Sequence, residues 1–176
     1  TGVLLPSSGL LVLVMAIIKK PIVCTSGNFH GSPIISENGI AQEKLGVVAD
    51  YLVHHNLPIQ FQQDDSVVKI VDGKQLIIRR SRGFAPNYFT ENHNIEADTL
   101  AMGAHLKSTF SLVPNNHIYV SQYFGNLDSY DVSERYKKTI NQYLNVFNCR
   151  PKTILIDAHS AYQSSIIGKE LSQNYN

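Results

Sequence analysis

Cysteine is scarce in this sequence. Only Cys24 and Cys149 occur among 176 residues, with no CxxC pair and no histidine pair close to either cysteine. Zinc sites need clustered ligands and disulfides favour oxidising compartments, so we predict two buried, reduced thiols, no disulfide and no metal site. An excess of charge of one sign is also missing, because the formal net charge is only +1. Without a global basic field, nucleic acid or an anionic membrane is not expected as the main partner, and any anion site must be local.

Long apolar runs are absent as well. The only candidate membrane segment is "GLLVLVMAII", Gly9 to Ile18, whereas a helix needs about 20 apolar residues to cross a bilayer. This segment also lacks the preceding basic region and the following small-residue cleavage site of a signal peptide. We therefore expect a cytoplasmic protein in which the segment is a core element.

The first half contains one strong hairpin signal. Asp72-Gly73 separates "VVKIV" from "KQLIIR", and Asp-Gly between two β-branched runs is typical of a two-residue hairpin turn. Upstream, "IVCT" at 22–25 predicts a short buried strand. Apolar residues at helical spacing then predict a helix that starts at Ser36 or Asn38 and ends before Pro58.

The second half predicts a mixed sheet with a crossover helix. "LAMGAHL", "TFSLV" and "HIYVSQ" read as three short strands, with a turn at 114–116, and "TILID" reads as a fourth. Between them, a capping-box pattern at Asp131 and apolar residues at helical spacing predict a helix to Phe147. A helix between strands implies a parallel crossover and hence an α/β fold with mixed sheets. The aperiodic stretch 88–98 predicts a linker between a domain at 1–90 and a domain at 98–176.

Two groups of first-half residues could contact an anion. The loop "TSGN" can aim backbone N–H groups and the Asn28 amide at an oxyanion, or it can be an ordinary turn. Arg79, Arg80 and Arg82 supply guanidinium forks that suit phosphate, or they can be solvated charges at a sheet edge. Strand alternation sends Arg79 and Arg80 to opposite faces. Ser66 follows two acids that could hold Mg²⁺ or begin a strand.

The second half has its own candidates between strands. Gly103, Lys107 and Thr109 could form a turn that contacts phosphate, or they could be an exposed hairpin tip. Asp157 ends "TILID", the position where α/β folds often keep a functional acid.

Taken together, these pieces resemble one family. The stretches "LPSSGLLVLVM", "TSGN", "DDSVV", "RRSRGFAP", "LAMGAHLKSTFSL", "SQYFGNLDS" and "IDAHSAY" are similar, in order and spacing, to those of the HypF carbamoyltransferases, which mature nickel-iron hydrogenases. The resemblance covers nearly the whole chain. It implies the C-terminal portion of a YrdC-like domain followed by the N-terminal portion of an actin-like domain of the Kae/TsaD type.

The resemblance also implies a reaction and its partners. In the family, carbamoyl phosphate is split, its carbamate is joined to AMP derived from ATP, and the carbamoyl group passes to the C-terminal cysteine of the partner HypE. The implied cofactor is ATP with Mg²⁺. The zinc or iron sites of the family fall outside this chain, no membrane partner is implied, and the chain alone is not expected to complete the reaction.

Site residues follow from the resemblance position by position, although no catalytic residue is assigned. The implied nucleotide or carbamoyl-adenylate contacts are Ser26, Gly27, Asn28, Ser66, Arg79 and Arg80. The implied phosphate contacts of the second domain are Gly103, Lys107, Thr109 and Asp157.

The sequence also departs from the family pattern. Leu57 and Gln62 stand where arginines are usual, and His105, Asn126 and Ser160 replace the usual Glu, Asp and Pro. Single charge-stabilising donors are worth about 3–4 kcal/mol in a transition state. The alternative interpretation is therefore a decayed, non-catalytic YrdC-like module that binds nucleotide, double-stranded RNA or a maturation partner.

Overall fold

The computed structural model describes residues 3–89 and 94–175. Over these ranges the protein is a mixed α/β structure with two separate sheets, which confirms the predicted fold class. The elements in chain order are α1 (Gly9–Ile18), α2 (Asn38–Leu45), β1 (Val67–Val71), β2 (Lys74–Arg79), β3 (Asn87–Phe89), β4 (Thr99–Ala101), β5 (Ser111–Val113), β6 (Ile118–Val120), α3 (Tyr130–Val146), β7 (Thr153–Leu155) and α4 (Gln163–Gln173).

The predicted hairpin is confirmed as the two-stranded sheet of β1 and β2. These strands pair antiparallel, with Val71 opposite Lys74. The two loop residues have positive φ angles, 48° at Asp72 and 73° at Gly73. Such a turn matches the right-handed twist of the strands, which is why an Asp-Gly pair is favoured there.

The second sheet has the strand order β3-β6-β5-β4-β7. Strand β7 is parallel to its neighbour β4, whereas the other pairs are antiparallel. The predicted order of three strands, a helix and a strand is therefore confirmed. Strand β3 pairs with β6 and includes residues 88 and 89, so these two residues of the predicted linker are in a strand. Residues 90–93 of that linker lie outside the described residues, and the boundary itself stays a prediction.

Helix α3 makes the parallel crossover and packs on the sheet. It starts after Ser129, so the predicted capping box at Asp131 is wrong by two residues, and Asp131 lies instead in the first turn. Acids are favourable there because the helix N-terminus is electropositive. The core to which α3, α4, the sheet and the loops between them contribute is Leu100, Met102, Phe110, Leu112, Phe124, Leu127, Val132, Tyr136, Ile140, Tyr143, Leu144, Cys149, Ile167 and Leu171.

Helix α4 packs behind β7 and was not predicted. Its Gly168 lies in the helix interior, which normally weakens a helix by about 0.5–1 kcal/mol relative to Ala. Here a Cβ on Gly168 would lie 2.4 Å from Ile156 Cγ2 and 2.9 Å from Met102 Cγ. The glycine therefore allows α4 to approach the sheet closely.

Three predictions for the first half are corrected. "IVCT" is not a strand, because no other segment of the described residues pairs with it, and Val23 is 99% exposed. The segment Gly9–Ile18 is a helix, but it buries no residue and so is not a core element. Helix α2 ends at Leu45 rather than before Pro58, with Gly46 as its C-cap. Among the described residues, no helix is both long and apolar enough to span a membrane.

Candidate functional site

The loop at 26–28 is held by its own hydrogen bonds. The Asn28 side-chain amide donates to the carbonyl of Ser32 at 2.8 Å and to that of Phe29 at 3.2 Å. Its Oδ1 accepts a short hydrogen bond from the Ser26 hydroxyl. The backbone N–H of Ile35 donates to the Gly27 carbonyl at 3.0 Å. The amide predicted to contact a ligand therefore shapes the loop, and any contact made by this amide must compete with these bonds.

Ser66 and Arg79 are brought together at the entry to the hairpin. The Ser66 hydroxyl donates to the Arg82 carbonyl at 2.8 Å and accepts from the Ser81 N–H at 2.9 Å. The Arg79 Nε donates to the Asp65 carbonyl at 2.7 Å. These bonds tie the start of β1 to the segment that follows β2.

The side chains of Arg80 and Arg82 contact different partners. Arg80 donates to the Phe84 carbonyl at 3.0 Å, and its guanidinium carbon lies 5.4 Å from the centre of the Phe89 ring. The exposed Arg82 side chain lies 3.6 Å from the Asp65 carboxylate. Each arginine retains N–H groups beyond these bonds, because a guanidinium has five donors.

The structure does not join the 26–28 loop to the arginines. Among the described residues, no hydrogen bond, ring contact or ion pair connects the two groups. Three cavities open around Ser36 and Gln62, and their walls contain none of Asn28, Arg79 or Arg80. Leu57 lines one of these cavities together with Gln62, so two of the departures from the family pattern face the same space.

The predicted turn of the second domain is a tightly built loop. Gly103 has a φ of +65°, and a Cβ added there would lie 2.0 Å from the Thr109 carbonyl oxygen. Lys107 also has a positive φ, 51°, and its backbone N–H donates to Asn126 Oδ1 at 3.0 Å. The Lys107 side chain is exposed beside this loop. The loop thus presents a cation on a backbone that only glycine at 103 permits.

Asp157 lies at the same edge of the sheet as this loop. Strands β4 and β7 are parallel, so their carboxyl ends lead to Gly103 and to Asp157 on one side. The Asp157 carboxylate accepts the His159 N–H at 2.8 Å, and its carbonyl accepts the Ser165 hydroxyl at 3.0 Å. The structure therefore places Gly103, Lys107, Thr109 and Asp157 in adjoining segments.

His105 connects the segments at this edge, a role that sequence reasoning missed. Its Nε2 lies 2.8 Å from Asp128 Oδ1, and its Nδ1 accepts the Gln163 N–H at 3.2 Å. Because a backbone N–H donates to Nδ1, the proton of the neutral ring belongs on Nε2, facing Asp128. Tyr162 stacks between His105, at 5.1 Å, and His159, at 4.2 Å. The only sequence signal was His105 itself, in place of the usual Glu.

Ionisable groups with shifted pKa values lie near residue 98, before β4 begins. A hydrogen bond from Lys152 at 2.9 Å lowers the pKa of Asp98 and, with the Asp98 charge, raises the pKa of Lys152. Burial and the nearby Asp98 charge raise the pKa of the Cys149 thiol to about 11. This group stabilises the fold at residues where no ligand contact is predicted.

No group of three or more His, Cys, Asp or Glu side chains within residues 3–89 and 94–175 is placed to hold a metal ion. Single carboxylates such as Asp64 and Asp65 are available near the arginines. Mg²⁺ commonly binds through one or two carboxylates together with substrate phosphates. The residues around Asp64 and Asp65 are thus compatible with a Mg²⁺ ion that binds together with the phosphates of a nucleotide.

Two family models match adjoining parts of the chain. Residues 1–81 match the Sua5/YciO/YrdC model, described as telomere recombination, and residues 94–176 match the HypF Kae1-like domain. The carbamoyltransferase HypF of Synechocystis sp. is 38% identical over 93% of this chain and 21% of its own length. The probable carbamoyltransferase HypF of Methanocaldococcus jannaschii is 37% identical over 99% and 23%.

Solved structures agree with these matches. The full-length HypF structure in the phosphate- and nucleotide-bound form superposes with a TM-score of 0.76 at 34% identity, over 82% of this chain and 23% of that one. HypF of T. kodakarensis gives 0.77 at 36% identity, over 86% and 20%. The chain therefore spans about a fifth of the length of these relatives.

Proposed function

Because this chain belongs to the HypF carbamoyltransferase family, we propose that it contributes to ATP-dependent carbamoyl transfer in hydrogenase maturation. It supplies parts of two sites, a carbamoyl-adenylate site in the YrdC-like region and a phosphate site in the Kae1-like region. The observation that carries the proposal is the edge of the second sheet. There Gly103, Lys107 and Asp157 lie on adjoining segments after parallel strands, where α/β folds bind ligands.

In the first site, the carbamate oxygen attacks the α-phosphorus of ATP and pyrophosphate leaves. Arg79 or Arg80, which point to opposite faces, offers guanidinium donors to the phosphates, and the backbone at Ser26 and Gly27 offers N–H groups. The Asn28 N–H already donates to the Ser26 carbonyl at 3.1 Å, so Asn28 contributes to the site by shaping the loop. Ser66 holds the arginine segment in place through its two hydrogen bonds. Mg²⁺ accompanies the nucleotide and neutralises phosphate charge. The loop and the arginines share no contact in this structure, so the proposal requires that one nucleotide reaches both groups.

In the second site, a thiolate attacks the carbamoyl carbon and AMP leaves. The acceptor is the C-terminal cysteine of a HypE-like partner. Lys107 and Thr109 contact phosphate oxygens, and Gly103 keeps the turn open for close approach. Asp157 fixes the following turn through the His159 N–H. The reaction is proposed for the assembled enzyme, of which this chain spans a part.

A second candidate is a module that binds nucleotide or a maturation partner without chemistry. The observation in its favour is that Gln62 donates to the Ser36 hydroxyl at 2.7 Å and Leu57 is 74% exposed, so neither offers an anion contact of the family kind. A chimera separates the candidates. This chain replaces the matching segment of a full-length relative, and carbamoyl-phosphate-dependent ATP–pyrophosphate exchange is measured. Carbamoyl transfer predicts retained exchange, and the non-catalytic module predicts loss of exchange with partner binding intact.

Nucleotide binding by the chain tests the first site directly. We expect ATP with Mg²⁺ to slow amide exchange at Ser26 and Gly27. We also expect Arg80→Met to weaken ATP binding at least about tenfold, since charged hydrogen bonds are worth about 1.5–3 kcal/mol. Arg82→Met is the matched control, because Arg82 is a neighbouring exposed arginine outside the proposed site. Its ATP affinity should stay within about twofold of wild type. An equal loss in both variants, or no ATP binding, contradicts the proposal.

A further inference from the structure

Helix α4 begins without a cap from its own residues. Its N-cap is Tyr162, whose side chain makes no capping hydrogen bond. The first backbone N–H groups of a helix have no partner within the helix, so they need acceptors from elsewhere. At Gln163, the first residue of α4, the N–H donates to the ring Nδ1 of His105 at 3.2 Å. One acceptor for the start of α4 is therefore supplied by a residue 58 positions earlier in the chain.

His105 belongs to the turn at 103–109, which carries the proposed phosphate contacts Lys107 and Thr109. The His105 carbonyl accepts the Leu127 N–H at 3.1 Å, and the Lys107 N–H donates to Asn126 at 3.0 Å. These bonds hold the backbone of the turn against the segment at 126–127. Within the described part of the chain, His105 is the one residue of this turn with a hydrogen bond or ring contact to residues 157–173. The link from the turn to α4 therefore depends on this side chain.

The imidazole of His105 is held from three directions. Its Nε2 lies 2.8 Å from Asp128 Oδ1, and its Nδ1 accepts the Gln163 N–H. The Tyr162 ring stacks on it with centroids 5.1 Å apart and planes 7° apart. Only 13% of the side chain is exposed. Because Gln163 needs an acceptor and Asp128 needs a donor, both bonds form together only in the neutral ring with its proton on Nε2.

The same contacts continue to Asp157. The Tyr162 ring stacks on His159 at 4.2 Å, and the Tyr162 N–H donates to the His159 carbonyl at 3.2 Å. The His159 N–H in turn donates to the Asp157 carboxylate at 2.8 Å. Contacts therefore run without a break from His105, in the turn, to the acid at the end of β7.

We propose that His105 is a positioning residue for the phosphate site of the second region. Its Nδ1 caps α4 from the turn, and this bond fixes the segment that carries Lys107 relative to the segment that carries Asp157. The inference rests on the proposed function, because it concerns the same site. It adds the requirement that residue 105 offers α4 a hydrogen-bond acceptor.

Two substitutions separate the roles of the two ring nitrogens. Asn places its amide oxygen near the position of Nδ1, whereas Gln places its amide nitrogen near that of Nε2. His105→Asn therefore keeps an acceptor for Gln163, and His105→Gln keeps only a donor for Asp128.

Inorganic phosphate is titrated into the isotope-labelled whole chain at constant ionic strength, and the amide signals of Lys107 and Thr109 are followed by NMR. We expect His105→Gln to weaken phosphate binding about fivefold, equivalent to about 1 kcal/mol, because the loss of a helix cap is of this size. His105→Asn should bind phosphate within about twofold of wild type. A residue that only stabilised the fold would not produce this difference between two polar variants.

Two further readouts do not need phosphate. The Gln163 amide should exchange at least about fivefold faster in His105→Gln than in wild type, and the wild-type His105 ring should show its proton on Nε2 by nitrogen NMR. His117→Gln is the matched control, because His117 is an exposed histidine before β6 whose ring contact is with Tyr88. Its phosphate affinity and its Gln163 exchange should equal those of wild type.

The outcomes distinguish this inference from the function on which it rests. Absence of phosphate binding in wild type contradicts the proposed phosphate site, and the Gln163 exchange rate then decides on the cap. Equal phosphate affinity of His105→Gln and wild type, equal losses in both variants, unchanged Gln163 exchange, or a ring proton on Nδ1 overturns the inference. If His105→Gln does not fold, the ring tautomer of wild type and phosphate binding by His105→Asn decide.

Discussion

Residues 3–80 and residues 99–171 of this chain differ sharply in burial. Every member of the hydrophobic core cluster lies between Leu100 and Leu171. No residue from 3 to 80 is buried, and the apolar helix α1 has no buried residue, although Leu11, Val14 and Met15 on one face are half-buried. Both regions nonetheless contain regular helices and strands. Local sequence preference is thus sufficient to define an element, whereas a core requires apolar faces that meet.

This difference extends to the two candidate sites. The turn at Gly103 is part of a loop fixed to a packed sheet, with Asn126 and the Gly125 carbonyl bonded to its backbone. The loop at Asn28 is closed mainly by its own short-range bonds. We therefore expect the proposed phosphate site of the second region to be preorganised, whereas the proposed nucleotide site of the first region would form around its ligand.

The largest expected contrast comes from removing matched apolar side chains. Leu100 is fully buried, so Leu100→Ala should cost about 2–5 kcal/mol of unfolding free energy. Ile70 on the hairpin is 64% exposed, so Ile70→Ala should cost less than about 1 kcal/mol. Urea unfolding followed by circular dichroism measures both. Equal losses would break the comparison, because they would mean that the hairpin is packed as tightly as the sheet.

Two glycines sharpen the comparison at the level of the backbone. Gly103→Ala puts a Cβ against the Thr109 carbonyl in a left-handed conformation and should cost about 1–3 kcal/mol. Gly39→Ala in α2 has open space and an ordinary φ, so it should gain about 0.5–1 kcal/mol of helix stability. The same urea unfolding measurement shows whether Gly103→Ala lowers and Gly39→Ala raises the unfolding free energy. A neutral Gly103→Ala would show that the turn can relax and is not preorganised.

The two cysteines provide a natural pair of probes, one in each region. Cys24 is exposed, so the prediction of two buried thiols is wrong for this residue. Cys149 is 6% exposed, and burial with the Asp98 charge raises its pKa to about 11. The thiolate is the reactive form, so near neutral pH we expect iodoacetamide to alkylate Cys149 more than about tenfold more slowly than Cys24. Mass spectrometry of the two peptides measures the ratio. Similar rates would mean that the second region opens as readily as the first.

The smallest expected effect is a dependence of stability on pH. Lys152 lowers the pKa of Asp98 in the folded protein below the ordinary value of 3.8. Folded Asp98 therefore binds its proton less readily than unfolded Asp98, and its contribution is present above about pH 3.8 and lost as pH falls below that value. In Asp98→Asn, which keeps a residue that tolerates the left-handed φ of 62°, this acid-dependent loss should be absent.

Unfolding free energies of wild type and Asp98→Asn, measured from about pH 6 to about pH 2, should converge as the pH falls. Parallel curves would show that the ion pair with Lys152 does not form in solution. Lys152→Gln is the complementary control, since it removes the same pair from the other side and should also flatten the acid dependence.

The structure of residues 99–171 was largely predictable because the turn residues and the spacing of the apolar residues agree with one another. Asn115 and Asn116 form the predicted turn with positive φ angles, and Val132, Tyr136 and Ile140 mark the buried face of α3 at helical spacing. Helix α4 was missed because Gly168 weakens its helical pattern. The reason for that glycine, contact with Ile156 and Met102, exists only in the folded structure.

The first region was predictable only where the signal is local. The Asp72-Gly73 turn fixes a hairpin without help from other segments. The strand predicted for "IVCT" was wrong because an apolar β-branched run becomes a strand only when another strand pairs with it. The sequence alone does not show whether such a partner exists. The burial of Arg135, which is only 8% exposed, was not predictable for a related reason. A charge within the pattern of an amphipathic helix gives no indication that the fold will bury it.

Amide hydrogen exchange of the chain without ligand tests the unequal packing most directly. The account predicts slow exchange, limited by global unfolding, in β4, β5 and the middle of α3, and exchange faster by orders of magnitude in α1, α2 and the β1–β2 hairpin. Protection of the hairpin and α1 equal to that of α3 would contradict the account, because it would show that the two regions unfold as one cooperative unit.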